Sequence, residues 1–203
     1  MKKQNEFFDD MFDDEDRIFS SNTDIELKRK GIYYITGEIN SSSLVDIQQD
    51  ILLKHLDPSW NDDIQLIINS VGGSVAEGYA LIDLLEWVKM DVRTTAIGFC
   101  ASMGTCIACS GTKGKRIITP NTSIMIHGTI CGVEGNYNQI AAVSREMLRD
   151  HERDIKFWMK HSKYKKKVDI EKHFLHGKYD IYMEPEEAIK HGIFDGICKG
   201  NKS

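Results

Sequence analysis

Apolar positions along the chain change period several times, and each change marks an element. Ile32, Tyr33, Tyr34, Ile35 and Thr36 form a β-branched and aromatic run that stops at Gly37, after which Leu44, Ile47 and Ile51 recur at helical spacing. This reads as strand, turn, helix. A second unit repeats the order. Residues 64–68 have the character of a buried strand, Val71-Gly72-Gly73 that of a glycine turn, and Leu81, Leu84, Leu85 and Val88 fall at i, i+3, i+4 and i+7 of a helix. A third begins with a strand at residues 92–97 and turns through Gly98 into a stretch of Ala, Ser, Cys and Gly. Strands alternating with helices at this spacing predict a layered α/β domain.

Downstream, short strands are expected around residues 116–118 and 124–126, then a glycine-punctuated loop at 128–135. A long helical stretch follows at 137–161, carrying Ile140, Met147, Leu148, Ile155 and Trp158 on one side. It is longer than one small layer needs to cover, so it is expected to project and pack against another subunit. Pro185 opens a last helix and Gly192 closes it. The first 30 residues differ from the rest, because seven acidic side chains between Glu6 and Asp16 interleave with Phe7, Phe8, Met11 and Phe12. They read as a mobile arm, either a disordered tail or a segment that docks its aromatics on a neighbour while its charges stay wet. Residues 31–198 then make one domain, which suits a chain of 203 residues.

Composition narrows the function only by exclusion. A hydrophobic fraction of 41% and a charged fraction of 28% are ordinary for a globular chain. A net charge of -5, with no basic stripe beyond the short run at 163–167, argues against nucleic acid as a partner. The start of the chain lacks the continuous apolar stretch of a signal peptide, and no segment is apolar for long enough to cross a membrane, so a cytoplasmic protein is expected. Cys100, Cys106, Cys109, Cys131 and Cys198 are an odd set, three of them crowded together, which makes a poor disulfide framework. Cys106 and Cys109 form a C-x-x-C without a second pair or a nearby histidine, so no metal site is expected and buried small side chains are.

Three short segments carry chemistry. In Cys100-Ala101-Ser102-Met103-Gly104 a strand and turn deliver a serine to the start of a small-residue helix, where backbone N–H groups can meet a developing oxyanion. Most serines so placed are simple helix caps. In Val71-Gly72-Gly73-Ser74 adjacent glycines let a backbone N–H approach a ligand, although a bare Gly-Gly is as often only a tight turn. His127 ends a short apolar strand, a place where a histidine is more often structural. Taken together the segments supply a nucleophile, a base and oxyanion donors at strand ends, which is the set that serine catalysis needs.

Ile67-Ile68-Asn69-Ser70-Val71-Gly72-Gly73, Ala101-Ser102-Met103-Gly104, residues 111–116 (GTKGKR), Pro120-Asn121 and Met125-Ile126-His127 resemble, in order, the motifs of the proteolytic subunit of the Clp protease. The similarity extends from about residue 31 to 198. It implies stacked strand-strand-helix units, shared with the crotonase superfamily, and a protruding handle helix, here about 137–161, that joins two seven-membered rings face to face. It implies Ser102 as nucleophile, His127 as general base, the N–H groups of Gly73 and Met103 as oxyanion hole, and Asp180, fifteen residues before Asp195, as third member of a triad. It further implies a homo-oligomeric chamber and an AAA+ unfoldase as partner. The chain has no G-x-x-x-x-G-K-[ST] phosphate loop, so ATP would be used by that partner and no cofactor by this subunit. Loose specificity for apolar side chains is expected from the resemblance.

The chain also departs from the family pattern. Val71 replaces the usual proline, Gly128-Thr129 follows the histidine, and Tyr179 stands where an arginine commonly precedes the aspartate. The interval from His127 to Asp180 is a few residues longer than usual, with the insertion expected near 163–167. Competing expectations are a catalytically idle ring subunit, a virus-type maturation protease, a Ser-Lys dyad enzyme, and a crotonase-like acyl-CoA enzyme, which would not need Ser102 and His127 together.

Overall fold

The computed structural model describes residues 14–130, 132–177 and 179–198. Its elements run α1 (Asp14–Arg29), β1 (Ile32–Ile39), α2 (Ser41–Leu56), β2 (Ile64–Gly73), α3 (Val75–Trp87), β3 (Val92–Ala101), α4 (Met103–Cys109), β4 (Arg116–Ile118), β5 (Ser123–Ile126), α5 (Tyr137–His161), α6 (Lys167–His173), β6 (Ile181–Met183), α7 (Pro185–His191) and β7 (Gly196–Ile197). Three successive strand-helix units build the parallel half of one sheet, ordered β1-β2-β3-β4-β7. The long strand β3 serves two neighbours in turn. Thr94 to Ala96 pair with Arg116 to Ile118 of β4, and Phe99 to Ala101 pair with Ser123 to Met125 of β5. The antiparallel strand β6 then adds to β5.

The helices start where local chemistry dictates. At α2, Asn40 accepts from the Ser43 N–H while Ser43 Oγ accepts from the Asn40 N–H, so two otherwise orphaned donors are satisfied reciprocally. Leu44, Ile47 and Ile51 are the buried face of that helix, as their spacing predicts. At α7 Pro185 occupies the first turn and Gly192 ends the helix at φ 77°, the left-handed conformation that favours glycine. Ile64, Leu66 and Ile68 alternate into the core between the helices, and Val92, Thr94 and Ala96 do the same on the next strand.

Several boundaries differ from the sequence expectation. Gly37, Gly72 and Gly98 lie inside strands and Gly73 is the last residue of β2, because the registers shift by a bulge between Gly37 and Glu38 and between Ile68 and Ser70. Residues 14–29 of the acidic arm form a helix, whereas residues 1–13 lie outside the described residues. Helix α5 has the expected bounds, but only its C-terminal part is buried, through Ile155, Phe157, Trp158 and His161. Ile140 is 42% and Leu148 68% exposed, so in the single chain these two apolar side chains face solvent.

One ion pair fastens the C-terminal segment to the sheet. Arg116 on β4 donates to both carboxylate oxygens of Asp195, from Nε at 2.9 Å and from Nη2 at 2.6 Å, and also to the His161 and Gly192 carbonyls. The Gly114 and Arg116 N–H groups complete the shell around the carboxylate. Burial alone would push the Asp195 carboxyl up, but the hydrogen bonds and charge of Arg116 outweigh it and hold the group below its ordinary range. Asp195→Asn leaves a guanidinium that is only 7% exposed without its counter-charge and is expected to cost about 3–5 kcal/mol in urea unfolding. Because the folded chain binds this proton less readily than the unfolded one, the contribution is complete above an unfolded pKa of about 4 and is lost as pH falls through the folded value. The difference between wild type and Asp195→Asn should therefore shrink in acid, and a difference that persists unchanged to pH 2 would contradict this account.

Candidate active site

Ser102 sits at the exit of β3, and among the described residues it is the one non-glycine with positive φ, at 53°. Such backbone costs about 1–3 kcal/mol and persists only where neighbours fix it. They do so here. The Ser102 N–H donates to the Met125 carbonyl at 2.9 Å, and the Ser102 carbonyl accepts from the Cys106 N–H at 3.2 Å. Thr105 Oγ1 ties the Cys100 and Met125 carbonyls from below. Ser102 makes no side-chain cap to its helix, so the simple capping role is excluded and its hydroxyl is free for other work.

Two glycines allow the close approach. A Cβ on Gly72 would lie 2.8 Å from both the Ala101 carbonyl oxygen and Ser102 Cβ, and a Cβ on Gly104 would lie 2.8 Å from the Ser70 carbonyl oxygen. Gly72 is thus the surface against which the serine turn is pressed, and α4 seats closely on β2 through Gly104. Gly73 and Met103 line the same small cavity as Ser102. Met103 is the first residue of α4, so its N–H has no acceptor within the helix.

His127 follows β5, and its Nε2 lies 2.8 Å from Ser102 Oγ. The pairing of β3 with β5 makes this contact, since Ala101 and Met125 are register partners and each strand then delivers its residue to the same end. The other ring nitrogen, Nδ1, is buried and has no hydrogen-bond partner among the described residues. Asp180 does not fill that place in this chain, and it is solvent-exposed just ahead of β6. Its backbone is nevertheless well positioned. Ile126 of β5 pairs with Ile181 of β6 in antiparallel register, so one further step sets His127 opposite Asp180.

The cavity beside the serine has a volume of about 110 Å³ and is bounded by Ile126, Thr129, Ile130, Asp154 and Trp158 as well as the residues above. Asp154, on α5, was not singled out by sequence. The available signal was an acidic residue seven positions after Met147 and four before Trp158, which is on the apolar stripe of the helix. Its carboxylate accepts from Tyr79 Oη at 2.9 Å and from Thr129 Oγ1 at 3.0 Å. A larger concavity of about 640 Å³ is lined by Asp91, Lys160, Arg116 and Asp195 among others, and none of the sequence-derived site residues borders it.

The cysteines packed near the serine are poor nucleophiles. Burial holds the Cys106 thiol well above its ordinary range and pushes Cys100 up to about 12. Cys100, Cys106, Cys109 and Cys198 are free thiols, and Cys131 lies outside the described residues. Among the described residues no group of His, Cys, Asp and Glu is arranged to hold a metal ion, and no helix is long and apolar enough to cross a membrane.

Geometrically, a strained serine in hydrogen-bond contact with a histidine at strand ends has the arrangement that a nucleophile and its base require. Comparison with known proteins gives the family. The Clp protease family model matches residues 16–201. The chain is 33% identical over 176 residues to the ATP-dependent Clp protease proteolytic subunit of Ligilactobacillus salivarius, covering 87% of each protein. It is 34% identical over 178 residues to the protein of the same name from Streptococcus mutans, covering 87% of this chain and 88% of the relative. The chain belongs to the Clp protease family, and its mixed α/β sheet is the fold of that family's proteolytic subunits.

Proposed function

We propose that this chain is a serine endopeptidase, the proteolytic subunit of an ATP-dependent Clp-type protease. The observation that carries this is the 2.8 Å contact between His127 Nε2 and Ser102 Oγ, held by a strained turn. Ser102 Oγ attacks the scissile carbonyl while His127 takes its proton, and the N–H groups of Gly73 and Met103 receive the oxyanion. His127 then returns the proton to the leaving amine, and water, activated by the same imidazole, hydrolyses the acyl-enzyme. Asp180 is the third member, orienting His127 once its carboxylate turns toward Nδ1. The chemistry uses no metal and no cofactor of this subunit.

Assembly follows from what the single chain leaves uncovered. The N-terminal half of α5 has no buried residue and exposes Tyr137, Ile140 and Leu148, which suits a handle that packs against a second ring. Two seven-membered rings would enclose the serines, and a separate AAA+ unfoldase would consume ATP to feed them unfolded protein. Free buried thiols fit a reducing cytoplasm.

An alkyl fluorophosphonate tests the nucleophile directly. Mass spectrometry of the digested protein should place one adduct on Ser102, and His127→Ala should abolish the labelling because the hydroxyl loses its base. Labelling at another serine, or undiminished labelling without His127, would defeat the assignment.

A further inference from the structure

We infer that Asp154 makes the side-chain pocket beside Ser102 select a basic residue, lysine foremost, on the acyl side of the cleaved bond. This rests on the peptidase assignment and departs from the apolar preference that the family resemblance implies.

The pocket has both the reacting serine and histidine and an acidic residue in its lining. Ser102, Met103 and His127 share its lining with Ile126, Thr129 and Asp154. Ile126 supplies an apolar wall suited to a methylene stem, and the carboxylate supplies the one full negative charge on the lining. Asp154 is half-buried, and desolvation pushes its carboxyl above the ordinary range despite two hydrogen bonds. A cation beside it would remove that penalty. Among the described residues no lysine, arginine or histidine forms an ion pair with it. Arg153, next in the chain, pairs instead with Asp150 at 2.9 Å and lies over the ring of Tyr79.

Size and hydrogen-bond geometry choose among basic groups. At about 110 Å³ the cavity has room for an unbranched side chain such as that of lysine. Tyr79 and Thr129 each already occupy one oxygen of the carboxylate, through Oδ1 and Oδ2 respectively. A planar guanidinium must meet both oxygens in one plane around the two hydroxyls already there, whereas an ammonium needs only one of the remaining lone pairs. The two hydroxyls thereby act as positioning groups that hold the carboxylate across the pocket.

The test is a ladder of short fluorogenic peptides identical except for Lys, Arg, Leu, Met or Glu before the cleaved bond, assayed on the assembled full-length protein. Wild type is expected to give its highest kcat/KM with Lys and its lowest with Glu. Asp154→Asn, which keeps the shape of the side chain, should lower the Lys-to-Leu ratio of kcat/KM by roughly 10- to 100-fold, the effect of losing one charge-assisted hydrogen bond. Wild type that cleaves Leu peptides best in a Ser102-dependent manner, or an Asp154→Asn that lowers all peptides alike, would overturn the inference and leave the peptidase intact. Absence of cleavage of every peptide, together with absence of phosphonate labelling at Ser102, would remove both.

Discussion

Ser102→Ala is expected to lower kcat for peptide hydrolysis by roughly 10⁶-fold, to the background that binding and oxyanion donors sustain alone. The size of the effect follows from what the substitution leaves in place. Alanine keeps the Cβ, so the backbone at φ 53° is no more and no less strained than before. The hydrogen bonds that fix the turn run through the Ser102 main chain and through Thr105, and none needs the serine hydroxyl. Folding and assembly should therefore survive, and the loss should be chemical. His127→Ala should be almost as damaging, and the double variant hardly worse than either single one, because nucleophile and base act as a unit. Steady-state hydrolysis of a short fluorogenic peptide, with assembly checked by light scattering, measures all three. Residual activity above about 1% in folded Ser102→Ala would mean that another group is the nucleophile.

Most strands and helices that were legible in sequence are long enough to show a period, and the short β4 and β5 were legible as apolar runs at 116–118 and 124–126. The buried runs of β2 and β3, the i, i+3, i+4 faces of α2 and α3, and the bounds of α5 all follow from side-chain spacing. Among the elements that escaped, β6 has 3 residues and β7 has 2, too few for any alternation to register, and the 16-residue helix α1 lies in the acidic stretch that reads as an arm. The pairing of the two strands is set by distant partners, Ile124 to Ile126 for β6 and Ile117 to Ile118 for β7. The glycines at 72 and 98 were legible as special but not as bulges, since a bulge is defined by the strand opposite. At the site, the serine, histidine and glycine pair were visible because each sits at the end of a readable strand. Asp154 was not, because a helix 25 residues long must be placed in three dimensions before one of its positions can be seen to border the serine.

Asp180→Asn is expected to lower kcat by roughly 10⁴-fold, as removal of an orienting carboxylate does where a serine and histidine depend on one. The buried Nδ1 of His127 is the reason. A ring nitrogen held out of water without a partner costs about 1–3 kcal/mol, and nothing then fixes the tautomer that leaves Nε2 free to accept the serine proton. A carboxylate opposite His127 in the β5-β6 register would satisfy Nδ1 and stabilise the imidazolium that forms during attack. In the single chain Asp180 is exposed, beside Tyr179, itself 70% exposed and packed on His176 at 4.3 Å. Assembly or substrate can favour the contact with Nδ1 by burying the Tyr179–Asp180 segment. Wild-type specific activity should accordingly rise with protein concentration as assembly proceeds, and Asp180→Asn should assemble equally well without gaining activity. A loss smaller than tenfold in assembled Asp180→Asn would show that His127 is oriented by another group and that the β5-β6 register plays no part in the chemistry.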